Sequence, residues 1–199
     1  MRASLTERPR SFAAQNDLGS ILLQRGELPQ AELHLRAAIQ IQPDFPESHN
    51  NLGIVLHNQG RVEEAIAEYR EALRIYPEHA DVYNNLGISL AAQGDLDGAL
   101  AQFETAVRLS PGFINASRNL GTALLYLGRP AEAALQFTQV LETDPQSADA
   151  WTLLGDAQAA QEQRTEAIAS YREALRFAPA GSRLAETARA KLGAAEEQQ

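Results

Sequence analysis

An all-α solenoid is the fold this sequence predicts, and three observations predict it. Five prolines, Pro43, Pro77, Pro111, Pro145 and Pro179, stand 34 residues apart. Five glycines, Gly19, Gly53, Gly87, Gly121 and Gly155, keep the same period. Two apolar stripes of helical spacing recur inside every period. A fixed period of this size marks one supersecondary unit stacked on copies of itself. With Phe12 as position 1, the repeats are 12–45, 46–79, 80–113, 114–147 and 148–181, flanked by 1–11 and 182–199, with no insertion or deletion.

Residues 1–11 set Arg2, Arg8 and Arg10 against Glu7, and Pro9 interrupts any long helix. They read as a tail without a packed role, or as a basic arm for a partner. Each repeat then carries two helices, A and B. Positions 4, 7, 8 and 11 form the stripe of helix A, in the third repeat Tyr83, Leu86, Gly87 and Leu90. Positions 20, 24, 27 and 28 form that of helix B, here Ala99, Phe103, Ala106 and Val107. The first follows the i, i+3, i+4, i+7 rule of an amphipathic helix, and the second makes a stripe of helical spacing as well. Position 15 is Gly26, Gly60, Gly94 or Gly128, suited to a left-handed residue that ends helix A. Proline at position 32 lacks a backbone donor and stops helix B. The glycine at position 8 lies within helix A, where it costs about 1 kcal/mol relative to alanine. It is expected where helix B approaches closely, with the position-20 alanine opposite and the aromatic or leucine at position 24 beside it. In the fifth repeat Gln158 and Glu162 replace the usual apolar residue and glycine, so that A–B turn is expected to be less well specified. Residues 182–199 read as one capping helix: Ser182 suits an N-cap, Leu184, Ala188, Leu192 and Ala195 make a stripe, and the end is polar.

Composition narrows the function. The net charge of −9 disfavours nucleic acid and anionic membrane surfaces, both of which recruit basic patches. There is no cysteine, so thiol chemistry and disulfides are excluded. No stretch spans a bilayer and none reads as a signal peptide, which makes the cytoplasm the expected location and membrane insertion unexpected. The histidines are His34, His49, His57 and His79. His49 is expected in the core and His57 on a groove, two turns apart and too far to share a metal. Asp95-Leu96-Asp97-Gly98 lacks the spacing of a calcium loop, and Gly87-Ile88-Ser89 lies mid-helix without the strand a nucleophile elbow needs. No metal, cofactor or catalytic site is expected, and the chain does not read as an enzyme.

The pattern as a whole, aromatic at 4, Leu-Gly at 7 and 8, Ala at 20, aromatic at 24, Ala at 27 and Pro at 32, resembles the tetratricopeptide repeat (TPR) family over 12–181. Tyr83 and Trp151 hold the position-4 aromatic, whereas Gln15, His49 and Ser117 depart from it. The resemblance implies a right-handed superhelix of five helix-turn-helix units, its concave face lined mainly by A helices, acting as a protein-interaction scaffold or adaptor. By that resemblance the groove side chains come from positions 2, 5, 6, 9, 12 and 13, and the expected peptide contacts are Asn50, Asn51, Ile54, His57, Asn84, Asn85, Ile88, Arg118, Asn119 and Tyr126. Asn51, Asn85 and Asn119 recur at position 6, and each amide offers donor and acceptor to a peptide backbone. Two readings of that row stand: a clamp on an extended segment, or hydrogen bonding between repeats. Glu47, Asp81, Asp149, Asp156 and Asp17 against Arg118 make five acids to one base, which favours a neutral or basic segment. A clamp for a C-terminal carboxylate is disfavoured, because its lysines are missing. The alternatives are a self-assembling scaffold or homo-oligomer, through repeat ends or the convex face, and a regulatory module for an enzyme encoded elsewhere.

Overall fold

The computed structural model describes residues 11–197; the expected basic tail lies almost wholly outside them. Among the described residues there are eleven α-helices and no strand. They belong to two compact units, Met1–Leu109 and Ser110–Gln199. The first unit holds α1 (Phe12–Gln24), α2 (Leu28–Ile41), α3 (Pro46–Asn58), α4 (Val62–Ile75), α5 (Ala80–Ala92) and α6 (Leu96–Leu109). The second holds α7 (Ile114–Tyr126), α8 (Pro130–Thr143), α9 (Ala148–Ala159), α10 (Arg164–Phe177) and α11 (Arg183–Glu197). Odd-numbered helices α1 to α9 begin at 12, 46, 80, 114 and 148, so the 34-residue period is also the period of the backbone. Each helix A pairs with its helix B, each helix B packs on the next helix A of its unit, and successive A helices of a unit touch. This is the neighbour-on-neighbour packing of an all-α solenoid.

The turn after helix A shows why position 15 recurs. Gly60 has φ +77, its N–H bonds the His57 carbonyl at 2.9 Å, and the next N–H, from Arg61, bonds that of Leu56 at 2.9 Å. This left-handed cap closes the hairpin and turns α4 back along α3. The fifth repeat corrects the expectation of a loose turn. Glu162 takes the same left-handed conformation at φ 61, and the same bonds form, Glu162 N–H to Ala159 and Gln163 N–H to Gln158. The backbone bonds thus impose the geometry on a residue with a Cβ, which costs roughly 1–2 kcal/mol. Glu162→Gly is expected to stabilise the second unit by about 1 kcal/mol, less than the full strain because glycine also frees the unfolded chain. Urea unfolding checks this, and a lower midpoint would refute it.

The mid-helix glycine has a different cause, and here the structure corrects the sequence reading. A Cβ built on Gly87 would lie 2.6 Å from Cε1 and 2.8 Å from Cδ1 of Phe103. The ring edge at position 24, rather than the position-20 alanine, therefore occupies the space above the glycine. Ala99 is nevertheless fully buried beside it. The same ring-on-glycine contact recurs in α3/α4, α7/α8 and α9/α10, with leucine replacing the ring in α1/α2.

Polar ties add to this core. Arg61 and Arg36 both bond Glu32, at 2.9 and 2.8 Å, linking α2 to the start of α4. Burial works to raise the Glu32 pKa, but the two guanidiniums prevail and hold it below its ordinary value. In α1, Leu18 and Ile21 are 41% and 45% exposed, whereas their counterparts in α3, Leu52 and Val55, are fully buried beneath the preceding hairpin. In the second unit α11 packs on α9 and α10. Ala185 and Ala188 form its buried centre, with Leu184, Leu192 and Ala195 half-buried around them. Ser182 caps it, accepting the Ala185 N–H at 3.2 Å. Arg164 donates to the Ala195 carbonyl at 2.6 Å, satisfying part of the other end. No described helix is long and apolar enough to cross a membrane.

Candidate functional site

In the first unit the A helices α1, α3 and α5 are joined through amides. Asn16 is buried, and its Oδ1 accepts from Ser48 Oγ at 3.0 Å and Asn51 Nδ2 at 3.3 Å. One hairpin further on, Asn85 Nδ2 donates to Asn50 Oδ1 at 3.0 Å. The asparagine row therefore does bond between repeats, and each bond uses one amide N–H. An asparagine amide has two N–H groups and a carbonyl. Asn51 and Asn85 are only half-buried, so each keeps a second N–H and its own oxygen outside this bond.

Position 5 behaves differently. Asn84 and Thr152 are buried, at 6% and 5% exposure, and Asn50 is half-buried as the acceptor for Asn85. This position sits on the seam between successive A helices rather than on the open face, which removes Asn84 from the accessible contacts. Ile54, His57, Asn85 and Ile88 do come together. With Asn58 and Tyr69 they line a depression of about 240 Å3.

The second unit has its own version. Thr122, Leu125 and Tyr126 of α7 and Leu153 and Asp156 of α9 line a depression of about 280 Å3. Tyr126 is 76% exposed and Asn119 is half-exposed on the same helix. The charges here depart from the sequence reading. Arg118 Nη1 pairs with Asp149 at 3.3 Å. Asp156 Oδ1 accepts from Tyr171 at 2.9 Å and from Lys191 of α11 at 2.7 Å. Two of the five expected acids are thus offset within their own unit, while Asp17, Glu47 and Asp81 of the first unit stay exposed. The tie to Lys191 spans 35 residues, and α11 lacks, at the matching positions, the Leu-Gly mark by which the other A helices are aligned in the sequence.

His49 lies in the core, as expected. Its Nε2 bonds the Pro43 carbonyl at 2.8 Å and its Nδ1 bonds Glu68 Oε2 at 2.7 Å. Trp151 makes the equivalent contact one unit on, donating Nε1–H to the Pro145 carbonyl at 3.0 Å. In the second and fifth repeats position 4 therefore supplies a ring N–H to the proline-loop carbonyl, from histidine in one and tryptophan in the other. Among the described residues no group of three or more His, Asp or Glu side chains is placed to hold a metal ion.

Models of the tetratricopeptide repeat match residues 44–112 and 118–182, and a TPR repeat model matches 19–60. The hairpin stack and these matches define the class: a TPR solenoid, generally a non-enzymatic protein-interaction scaffold. The chain belongs to the tetratricopeptide repeat family. No curated protein matches it. Among solved structures it is similar to YrrB, described as a TPR protein with an unusual peptide-binding site, at 27% identity and TM-score 0.74, over 88% of this chain and 90% of that one. It is likewise similar to PilF of Pseudomonas aeruginosa, at 26% identity and TM-score 0.77, over 94% and 89%. MamA of Desulfovibrio magneticus RS-1 shares the fold at 19% identity and TM-score 0.76, over 83% and 94%.

Proposed function

We propose that the protein is an adaptor that binds an extended segment of a partner protein along the A-helix face of its units. In the first unit Asn51 and Asn85 hold the segment's backbone, and the depression between Ile54 and Ile88 takes a side chain. In the second, Asn119, Arg118 and Tyr126 provide a shorter contact. The observation that carries this reading is the amide geometry of the first unit: Asn51 and Asn85 are each fixed by one bond to a neighbouring helix and keep a donor and an acceptor in hand. A side chain already held in place loses little freedom on binding. The peptide-binding description of YrrB supports the same reading.

Charge favours a basic segment on the first unit. Residues 11–109 carry fourteen acidic and six basic side chains, against eleven and eight over 110–197. We read α11 as the cap of the array, since its outer face carries Arg183, Glu186 and Arg189. The test is a peptide-display selection on the wild-type chain, with affinities then measured by fluorescence anisotropy. Replacing Asn51, Asn85 and Asn119 together by alanine is expected to weaken the selected segments by about tenfold or more, at one lost hydrogen bond or so per site. Wild-type affinity in that variant would refute the clamp.

A further inference from the structure

The depression on the first unit joins two kinds of surface. Ile54 and Ile88 give apolar walls open to solvent, Ile88 being 37% exposed. Beneath them Ser89 is wholly buried, bonded both to the Tyr69 hydroxyl and to His57 Nδ1, the latter at 2.8 Å. Ser89 occupies position 10, where the other repeats carry Ile21, Val55, Ala123 and Ala157. A buried hydroxyl is a liability unless it is hydrogen-bonded, and packing alone is served by the apolar residues found elsewhere. What serine adds here is a fixed imidazole. With Nδ1 tied to Ser89, the ring is held in one orientation and Nε2 remains for a ligand.

We infer that this depression is a side-chain-reading subsite, and that it selects a tyrosine set in a basic, extended segment of the partner. The inference rests on the groove reading above. The isoleucine walls suit the faces of a ring, and the volume of about 240 Å3 takes one aromatic side chain. His57 Nε2, with the Asn58 and Asn85 amides at the rim, meets the hydroxyl. The excess of acids on this unit favours lysine or arginine on either side of the tyrosine. The second unit supplies an internal comparison: its depression has Leu125 at the place of His57, and Ala157 stands at that of Ser89. It therefore lacks the fixed imidazole and should not tell tyrosine from phenylalanine.

The experiment uses the full chain and arginine-flanked decapeptides whose central residue is Tyr, Phe, Leu or Glu, with binding read by fluorescence anisotropy. The tyrosine peptide is expected to bind about fivefold tighter than the phenylalanine peptide, the worth of one added hydrogen bond. His57→Leu should abolish that preference, so that the tyrosine and phenylalanine peptides bind it alike, with the fold checked by circular dichroism. Ser89→Ala, which frees the ring, should reduce the preference too. Equal affinity of the wild type for the tyrosine and phenylalanine peptides would overturn the subsite and leave the groove reading standing. So would a preference that survives in His57→Leu. Failure of every peptide to bind the folded chain would overturn both.

Discussion

Gly87→Leu is expected to lower the melting temperature by on the order of 10 °C, the largest effect of any single change considered for this chain. The cause is local. A Cβ at Gly87 would meet the Phe103 ring edge at 2.6 Å, well inside contact distance, and leucine adds three more carbons in the same direction. Phe103 is 3% exposed, and Leu86, Leu90 and Ala106 on the same two helices are buried too, so the ring cannot swing away cheaply. Overpacking of this kind costs about 3 kcal/mol or more. A smaller ring-side residue provides the control: in Gly87→Ala/Phe103→Leu the two changes should cost less than their separate sum, because they share one contact. Calorimetry reads both. An unchanged melting temperature in Gly87→Leu would show that the glycine is not held there by the ring.

The second large effect concerns His49. Both of its ring nitrogens face acceptors, the Pro43 carbonyl and the Glu68 carboxylate, an arrangement that favours the imidazolium form. Burial by itself depresses the His49 pKa, but the bonds to Glu68 and Pro43 outweigh it and leave the pKa above its ordinary value of 6.5. A raised pKa in the folded state means that protons stabilise that state. The contribution is complete below the unfolded pKa and fades as the pH climbs through the folded one. His49→Ala should cost the first unit about 2–3 kcal/mol at pH 6, from lost packing and two orphaned acceptors. Urea titrations at pH 6 and pH 9 test the linkage: the wild type should lose more stability over that interval than Glu68→Gln. Parallel losses in the two proteins would refute the ion pair.

How far the sequence could be read depended on the range of the interaction. Helix starts at 12, 46, 80, 114 and 148 were legible because each boundary has a cause within a few residues: a left-handed glycine, a proline, an apolar stripe. Gly87 announced a close approach by its cost in mid-helix, yet the residue that fills the space, Phe103, could be told from Ala99 only by seeing the ring edge over the glycine. Ser89 also left a trace, as a hydroxyl where other repeats are apolar, but it and its partners His57 and Tyr69 lie on three different helices.

By itself, then, the sequence determined an all-α solenoid of the TPR family, the period and phase of its helices and the positions at which side chains leave the core. These follow from backbone preferences and from the 3.6-residue repeat, which act locally and recur identically. Only the tertiary structure decided which polar side chains are already spoken for. Asn84 is buried in a seam, Asp149 faces Arg118, Asp156 is held by Tyr171 and Lys191, and Glu162 is forced into a glycine's conformation. Such outcomes turn on distances of about 3 Å between residues some fifteen to thirty-five positions apart, and on backbone bonds that overrule one residue's preference. No period records them, because they arise where the repeats stop being alike.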